Sequence, residues 1–504
     1  HSTVTAMSLS VSLAILLVMF LLLLMVYLQF RWRYRYILAA ASKLPCPPTL
    51  PILGNIPWFI FFGDVISAAI HVLKSVAKFK SVFCVWVGPY PVFVVKDPDN
   101  AQIILNSSST LEKDDVYSMF RTFLGNGILA APAHIWKKYR KLINPIMHAS
   151  NVENFLPVFN DVSRKLTDQF AAIPAQSDRT DDIFAIALDA LARTVISKNK
   201  YTEETKSNLK EALSTLGGIF IVRFFKIWLQ IDWVFQLLYR KEINRSYKLY
   251  HDLLDVINKG WEEEDNMRKG ISPPDQYNER LAGINLLDVV YDNLPVITED
   301  HDWRHELGTL AIAGVDTIHE ALSLLLVTLG NYPDVQNKVF MEIQEVMGDL
   351  DRDVTVKDTN AMTYLNQVIL ESLRLNGSIP AIIRKATKDI KLVGCTLPAG
   401  SRIIIALQAM GFDKEQFPNP KQFLPERFSP EKQKERHNYA FLPFSAGPRN
   451  CIGKSYAMLM MKTVLVHVLR RLRVTSHTKL SDIKYDLKVV LHHTTPILVS
   501  FHPR

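Results

Sequence analysis

The longest purely apolar block stands at the start: no charged residue occurs from Ser2 to Phe30, and Leu9 to Leu28 is dominated by Leu, Val, Ile and Met. As a helix rising about 1.5 Å per residue, about 20 such residues cross a bilayer core of roughly 30 Å. A cleaved signal peptide has a shorter apolar core, about 7 to 15 residues, ending at small residues; this segment has neither property. Arg31, Arg33 and Arg35 follow, interleaved with Trp32, Tyr34 and Tyr36, which predicts a headgroup-level belt with the positive end in the cytoplasm. Met7 is the expected initiator, with the residues before it read-through. Pro45, Pro47, Pro48 and Pro51 then forbid helix and predict a stiff extended spacer that orients the rest of the chain on the bilayer.

Beyond the spacer the pattern changes. Two alternating apolar runs, SVFCVWV and PVFVV, flank Gly88-Pro89-Tyr90-Pro91 and predict a hairpin. Helical periodicity covers roughly 133–148, 151–172, 203–216, 300–330, 333–348 and 358–375, with another helix after Cys451, and short strand-like pieces recur near 390–407 and 486–502. The expected fold is mainly α with a minor β-sheet region, preceded by one N-terminal transmembrane helix. Leu216 to Tyr239 is apolar and aromatic but carries Arg223, Lys226 and Asp232. It reads as a lipid-facing or substrate-roofing element or as ordinary core helices, not as a second span.

At 504 residues, 48% hydrophobic and 21% charged, the chain has ample core material, which excludes disorder. No Gly/Ser-rich linker, repeat or like-charge block divides the part after the spacer, so one large domain is expected. The +8 formal charge suits nucleic acid, an anionic membrane or an acidic partner. With no zinc-finger or RNA-recognition pattern, and with Arg31, Arg33, Arg35 and Lys43 beside the apolar segment, membrane and acidic protein are favoured over nucleic acid. Cys46, Cys84, Cys395 and Cys451 are too scattered for a zinc pair and too few for a disulfide framework.

One cysteine stands in a distinctive setting. Phe444-Ser445-Ala446-Gly447-Pro448-Arg449-Asn450-Cys451-Ile452-Gly453 fits F-x-x-G-x-R-x-C-x-G at all five fixed positions, a chance match on the order of one in ten thousand. A metal-bound thiolate needs a tight loop whose N–H groups point at sulfur, and Gly447 and Gly453 permit that approach.

The motif resembles the haem-ligand loop of the cytochrome P-450 family, and three more patterns in the family's order extend the resemblance over almost the whole chain. It implies Cys451 as axial thiolate, with Phe444, Gly447, Arg449 and Gly453 around a haem b. Glu371-Ser372-Leu373-Arg374 matches E-x-x-R, whose family partner is Arg427 of Pro425-Glu426-Arg427-Phe428, implying a buried triad of Glu371, Arg374 and Arg427. Trp136 and Arg140 resemble W-x-x-x-R, and with Arg384 they are implied contacts of the haem propionates. Ala313-Gly314-Val315-Asp316-Thr317 resembles the oxygen-binding turn: Gly314 lets the helix approach the haem, and Asp316 and Thr317 relay protons for dioxygen cleavage.

The resemblance implies a monooxygenase in which NADPH acts indirectly through a separate reductase, with cytochrome b5 as a further partner, since the chain lacks a flavin or nicotinamide fingerprint. It further implies the endoplasmic reticulum membrane, a cytosolic catalytic domain and a hydrophobic small-molecule substrate. The layout is then 1–30 anchor, 31–51 basic and proline-rich linker and 52–504 haem-binding domain. The wording of Trp136 to Asn160 is similar to the animal clan that includes fatty-acid ω-hydroxylases, with an insect flavour. Four departures stand out: Ile318 follows the acid/alcohol pair, Asn376-Gly377-Ser378 replaces aromatic-Pro-Pro, Gly411-Phe412 replaces His-Arg, and Ala313 replaces a glutamate that esterifies haem. The last implies a non-covalent haem. A peroxide-rearranging isomerase and a non-catalytic haem or ligand binder are the rival classes.

Overall fold

The computed structural model describes residues 2–57, 79, 81–173, 175–196, 203–226, 229, 231–268, 284–293, 303–348, 351–488 and 490–504. Residues 300–302 of the expected long helix, 489 of the C-terminal strand region and parts of 52–504 lie outside these.

Ser2–Arg33 forms one helix, and the apolar window within Ser12–Arg33 has no buried residue. Helix Trp303–Asn331 is also long and apolar enough to span a membrane, but it is mostly buried, the mark of a core helix. Arg35 caps the first of these two with cation–π contacts to Trp32 and Tyr36 at 4.9 and 4.5 Å.

The segment expected as a linker is partly helical. Arg35–Ala41 forms a short helix that buries Ile37 and Ala41 in the same cluster as Phe93, Val95 and Leu397. The proline stretch is laced to the first strand: Cys84 N–H donates to Pro45 O at 2.9 Å, Asn55 Nδ2 to Pro48 O at 2.9 Å and Trp86 N–H to Asn55 Oδ1 at 2.8 Å. The anchor therefore enters a fixed corner of the body.

That corner is a four-stranded sheet ordered Phe83–Val87, Tyr90–Val95, Arg402–Ile405, Ile382–Lys385. The hairpin turn is tighter than expected, Tyr90 and Pro91 being already in the strand. Pro91 is tolerated because it pairs only with Trp86, and the parallel partner begins at Val92. Strand Ile382–Lys385, unforeseen, brings Arg384 into this sheet.

Helices Ala133–Met147, Pro333–Met347 and Lys454–Arg471 fall where periodicity put them, while the one expected over 151–172 is divided into Ala149–Val152, a 3-10 turn Glu153–Phe155 and Leu156–Ala172. The one expected over 203–216 runs on to Phe225, and that over 358–375 is two, Val356–Ala361 and Thr363–Leu375, broken at Met362. Helices Pro98–Asn106, Thr180–Leu191 and Asp232–Arg268 and strand Leu472–Ser476 were not anticipated. The main core joins Trp303–Asn331 to its neighbours, while Met119, Leu216, Ile219, Phe220, Leu229, Phe235 and Ile243 form a separate apolar cluster.

Candidate active site

The cysteine loop is built by two left-handed residues, Ser445 (φ 57°) and Gly447 (φ 72°). Their turns let Cys451 N–H donate to Phe444 O at 2.9 Å and Asn450 N–H to Gly447 O at 3.1 Å. A Cβ on Gly447 would lie 2.0 Å from Leu105 O, so only glycine fits. Gly453 caps helix Lys454–Arg471, and its N–H is directed at the Cys451 sulfur. The Phe444 side chain is half-buried and contributes its carbonyl to the loop.

Cys451 is open to solvent-sized molecules, yet dense surroundings raise its thiol above the ordinary value. The Gly453 N–H, Arg140 and Lys454 work in the opposite direction, the environment that favours a thiolate once a cation is bound.

Trp136 and Arg140 share a helix face as expected, but they serve different partners. Arg140 donates from Nη1 and Nη2 to Asn450 O and Oδ1, each at 2.9 Å, and from Nε to Asn144 Oδ1 at 2.8 Å. It thus braces the residue before Cys451. Trp136 is buried beneath Arg449, whose guanidinium lies 4.4 Å from the ring.

Arg449 donates from Nη2 to Ala131 O at 3.0 Å, but its buried Nε and Nη1 have no hydrogen-bond partner among the described residues. Burial, then the nearby Arg384, pushes Arg449 down to about 9. Arg384 is itself buried, with Nη1 donating to Ile383 O at 3.1 Å. Lys113 is the third member: its Nζ reaches Leu129 O and lies over the Tyr117 ring, and burial followed by Arg384 and Arg449 lowers it far below an ordinary lysine. Among the described residues none of these three cations has a salt bridge. Buried unpaired cations are costly, so the pocket is built for an anion, and the two carboxylates of a haem suit it. The sequence places 112–125 among pocket-forming segments, apolar and without a distinctive charge, and so misses Lys113 and Tyr117, which no motif covers.

Between Glu306 and Leu329 the long helix is buried except at Ile312, Ala313, Gly314 and Thr317. One open turn thus interrupts an otherwise buried helix. Ala313 and Thr317 lie four apart on it, and Thr317 Oγ1 donates to Ala313 O at 2.8 Å, leaving the hydroxyl oxygen free to accept from other groups. Gly314 differs from expectation. Its missing Cβ faces Leu191 Cδ1 and Cδ2, both at 3.0 Å, so this glycine admits the neighbouring helix Thr180–Leu191. Asp316 is buried and turned towards the C-terminal hairpin, its Oδ2 3.1 Å from His492 Nε2.

Glu371, Arg374 and Arg427 meet as the motifs implied. Arg374 forms a bidentate pair with Glu371, Nε to Oε2 at 2.7 Å and Nη2 to Oε1 at 2.8 Å, both side chains having no exposed area. Arg374 also donates to the carbonyls of Gly411, Pro420 and Gln422. Arg427 Nε is 3.3 Å from Glu371 Oε1, close enough for charge attraction but not aligned as a hydrogen bond. The carboxylate is completed by Leu424 N–H at 2.9 Å. The triad ties helix Thr363–Leu375 to the irregular segment that leads into the cysteine loop.

Comparison with known proteins agrees with this geometry. A family model described as cytochrome P-450 matches residues 44–501. The chain is 31% identical over 430 residues to human cytochrome P-450 4V2, covering 83% of this chain and 82% of that protein. It is 30% identical over 479 residues to cytochrome P-450 4d2 of Drosophila melanogaster (92% and 94%) and 30% over 481 residues to cytochrome P-450 4c3 of the same fly (92% and 90%). A match of this extent, on a chain whose thiol, donor pocket and helix turn suit a haem, shows that it belongs to the cytochrome P-450 family, within the animal clan of these relatives, as a haem-thiolate monooxygenase of hydrophobic substrates.

Proposed function

We propose that the chain is a single-pass protein of the endoplasmic reticulum membrane, with 1–30 as anchor, 31–51 as linker and 52–504 as a cytosolic haem-binding domain. It inserts one atom of dioxygen into an apolar small molecule, with electrons from NADPH delivered by a separate flavoprotein reductase and with cytochrome b5 as a second donor. The observation that carries this reading is the accessible Cys451 thiol facing the Gly453 N–H, together with the group of Lys113, Arg384 and Arg449, none of which has a salt bridge among the described residues.

When bound, the haem supplies dioxygen activation favoured by its thiolate. The chain's residues do the rest. Lys113, Arg384 and Arg449 hold the haem carboxylates, Trp136 packs beneath Arg449, and Arg140 fixes Asn450. Ala313 offers no carboxylate for an ester, so the haem is held without a second covalent bond. Thr317 presents its hydroxyl at the open turn, and Asp316 governs the protons that reach it.

Apolar walls suit an apolar substrate. Phe120 and Phe220 meet at 4.6 Å between centroids, within the separate cluster that holds Met119 and Phe235. Ile231, Trp233, Leu237 and Leu238 near this cluster are exposed, which supports the lipid-facing reading of 216–239 and entry of substrate from the bilayer. Fatty acids, hydrocarbons, terpenoid hormones, pheromones and plant toxins all satisfy that chemistry.

The test is purified protein with NADPH and reductase, against peroxide without reductase. NADPH-dependent oxygenated product, with a red-shifted ferrous carbon monoxide band that Cys451→Ala abolishes, is the expected result. Peroxide rearrangement alone favours an isomerase, which has no need of Asp316 and Thr317. Haem binding with no turnover favours a binder.

A further inference from the structure

Asp316 belongs to a charge cluster that spans two parts of the fold. His492 Nε2 is hydrogen-bonded to Asp316 Oδ2 at 3.1 Å, while His492 Nδ1 stands 3.0 Å from Glu320 Oε1. Asp316 and Glu320 are four apart on the long helix, so a single ring laid along the helix reaches both. An imidazole whose two nitrogens both face carboxylate oxygens has two acceptors to satisfy, and only the imidazolium has two N–H groups.

Glu320 is held further by His493 Nδ1 at 2.8 Å and His493 N–H at 3.2 Å. Both histidines end strand Leu491–His493 of the hairpin with Tyr485–Leu487. This hairpin therefore docks on the helix through Asp316 and Glu320, next to the open turn of Ala313 and Thr317. A hydrophobic contact would dock it equally well.

We propose that His492 is a positioning residue for the acid/alcohol pair: its imidazolium aims the Asp316 carboxylate and replenishes the proton that Asp316 passes towards Thr317, with Glu320 as fixed counter-charge. This rests on the monooxygenase reading. One proton moves and no electron: the His492 Nε2–H bond breaks, an Asp316 Oδ2–H bond forms, and the neutral imidazole left beside Glu320 recovers a proton from water at its partly exposed edge.

The surrounding charges are few. From the helix, Asp316 and Glu320 face the ring, with His319 against His493; from its own hairpin come Tyr485, the cross-strand partner Asp486 and His493. Lys210 acts on His319 from helix Glu203–Phe225, and Lys488 is occupied by Ser214 Oγ at 2.6 Å. Burial alone would lower His492, but bonding to Asp316 and Glu320 outweighs it and pushes the ring up to about 9. The same contacts outweigh burial at Glu320 and bring it down to about 2. The relay is therefore charged through neutral pH and loses its proton in the alkaline range.

The experiment compares wild type with His492→Gln, which retains a donor but cannot carry the proton. Product formed per NADPH consumed is read from pH 6.5 to 10 in the reductase-coupled enzyme, and the thermal unfolding midpoint is read over the same range without turnover. Wild type is expected to lose stability progressively from about pH 6.5 up to about 9, where it levels off, and to lose coupling as pH passes about 9. His492→Gln is expected to lower product per NADPH about tenfold at neutral pH, to keep the carbon monoxide band and substrate binding, and to lack the alkaline limb in both measurements.

A uniformly lower midpoint with unchanged stoichiometry overturns the relay and leaves His492 as a hairpin fastener. Wild type that forms no NADPH-dependent product overturns the monooxygenase reading and the relay with it, so the two failures are distinct. Should His492→Gln lose the carbon monoxide band, Glu320→Gln serves instead: it keeps the Asp316 bond and is expected to move the alkaline limb towards neutral pH. A limb that stays near pH 9 in Glu320→Gln overturns the proposal.

Discussion

The guanidinium of Arg449 lies 4.4 Å over the indole of Trp136, joining the cysteine loop to helix Ala133–Met147. The stacking holds the charge in place while Nε and Nη1 have no hydrogen-bond partner among the described residues. Arg449→Leu should therefore weaken haem retention more than it weakens the fold. A charge-assisted hydrogen bond contributes about 1.5 to 3 kcal/mol, so haem transfer to a scavenger apoprotein should quicken about 10- to 100-fold. Lys113→Met should act in the same direction, and no change in either variant would remove the propionate role of this pocket.

Glu371 is a single carboxylate serving Arg374 and Arg427. Glu371→Ala strands two buried guanidinium groups and should cost about 3 to 5 kcal/mol, read as a shift of the urea midpoint. Arg374→Lys should not rescue, because an ammonium cannot replace the fork that bonds Glu371 and also reaches Gly411, Pro420 and Gln422. Near-native stability in Arg374→Lys would show that charge alone matters here.

Two glycines with positive φ separate strain from collision. Gly394 (φ 84°) has open space around a new Cβ, so Gly394→Ala should cost only the left-handed penalty of about 1 to 2 kcal/mol. Gly447→Ala adds a Cβ 2.0 Å from Leu105 O and should abolish the carbon monoxide band. Equal effects of the two substitutions on haem incorporation would contradict this loop geometry.

Acid should destabilise the protein through two buried histidines. Burial lowers His319 and His467 to about 4, and neither ring nitrogen of His319 has a hydrogen-bond partner among the described residues. Their folded values lie below the unfolded value, so the stability they permit is full above about pH 6.5 and is lost as pH falls towards 4, at about 1.4 kcal/mol per unit for each. Loss through Glu320 follows only at lower pH, as its folded value is about 2. His319→Phe should flatten the decline between pH 6.5 and 4.5 in urea midpoints. An unchanged slope would assign the acid sensitivity elsewhere.

Topology has its own readout, because Asn106-Ser107-Ser108, Asn244-Arg245-Ser246 and Asn376-Gly377-Ser378 are nominal glycosylation sequons. Asn106 and Asn244 are exposed, so either would be available to the lumenal machinery. A cytosolic body predicts that none is used. A glycosidase-sensitive mass shift would reverse the orientation.

What the sequence determined by itself was local. The apolar run, the ten-residue cysteine loop and the spacing of Glu371 and Arg374 each lie within a few turns of chain, where 1.5 Å per residue and one helix face settle the geometry. Tertiary structure decided the rest. Lys113, Arg384 and Arg449 come from three distant segments and converge only because strand Ile382–Lys385 joins the N-terminal sheet. Gly314 turns out to serve Leu191, and Asp316 turns to His492 from a hairpin some 176 residues away. Periodicity tells which side of a helix is covered, but which neighbour covers it depends on packing over the whole chain, and that packing places the charges.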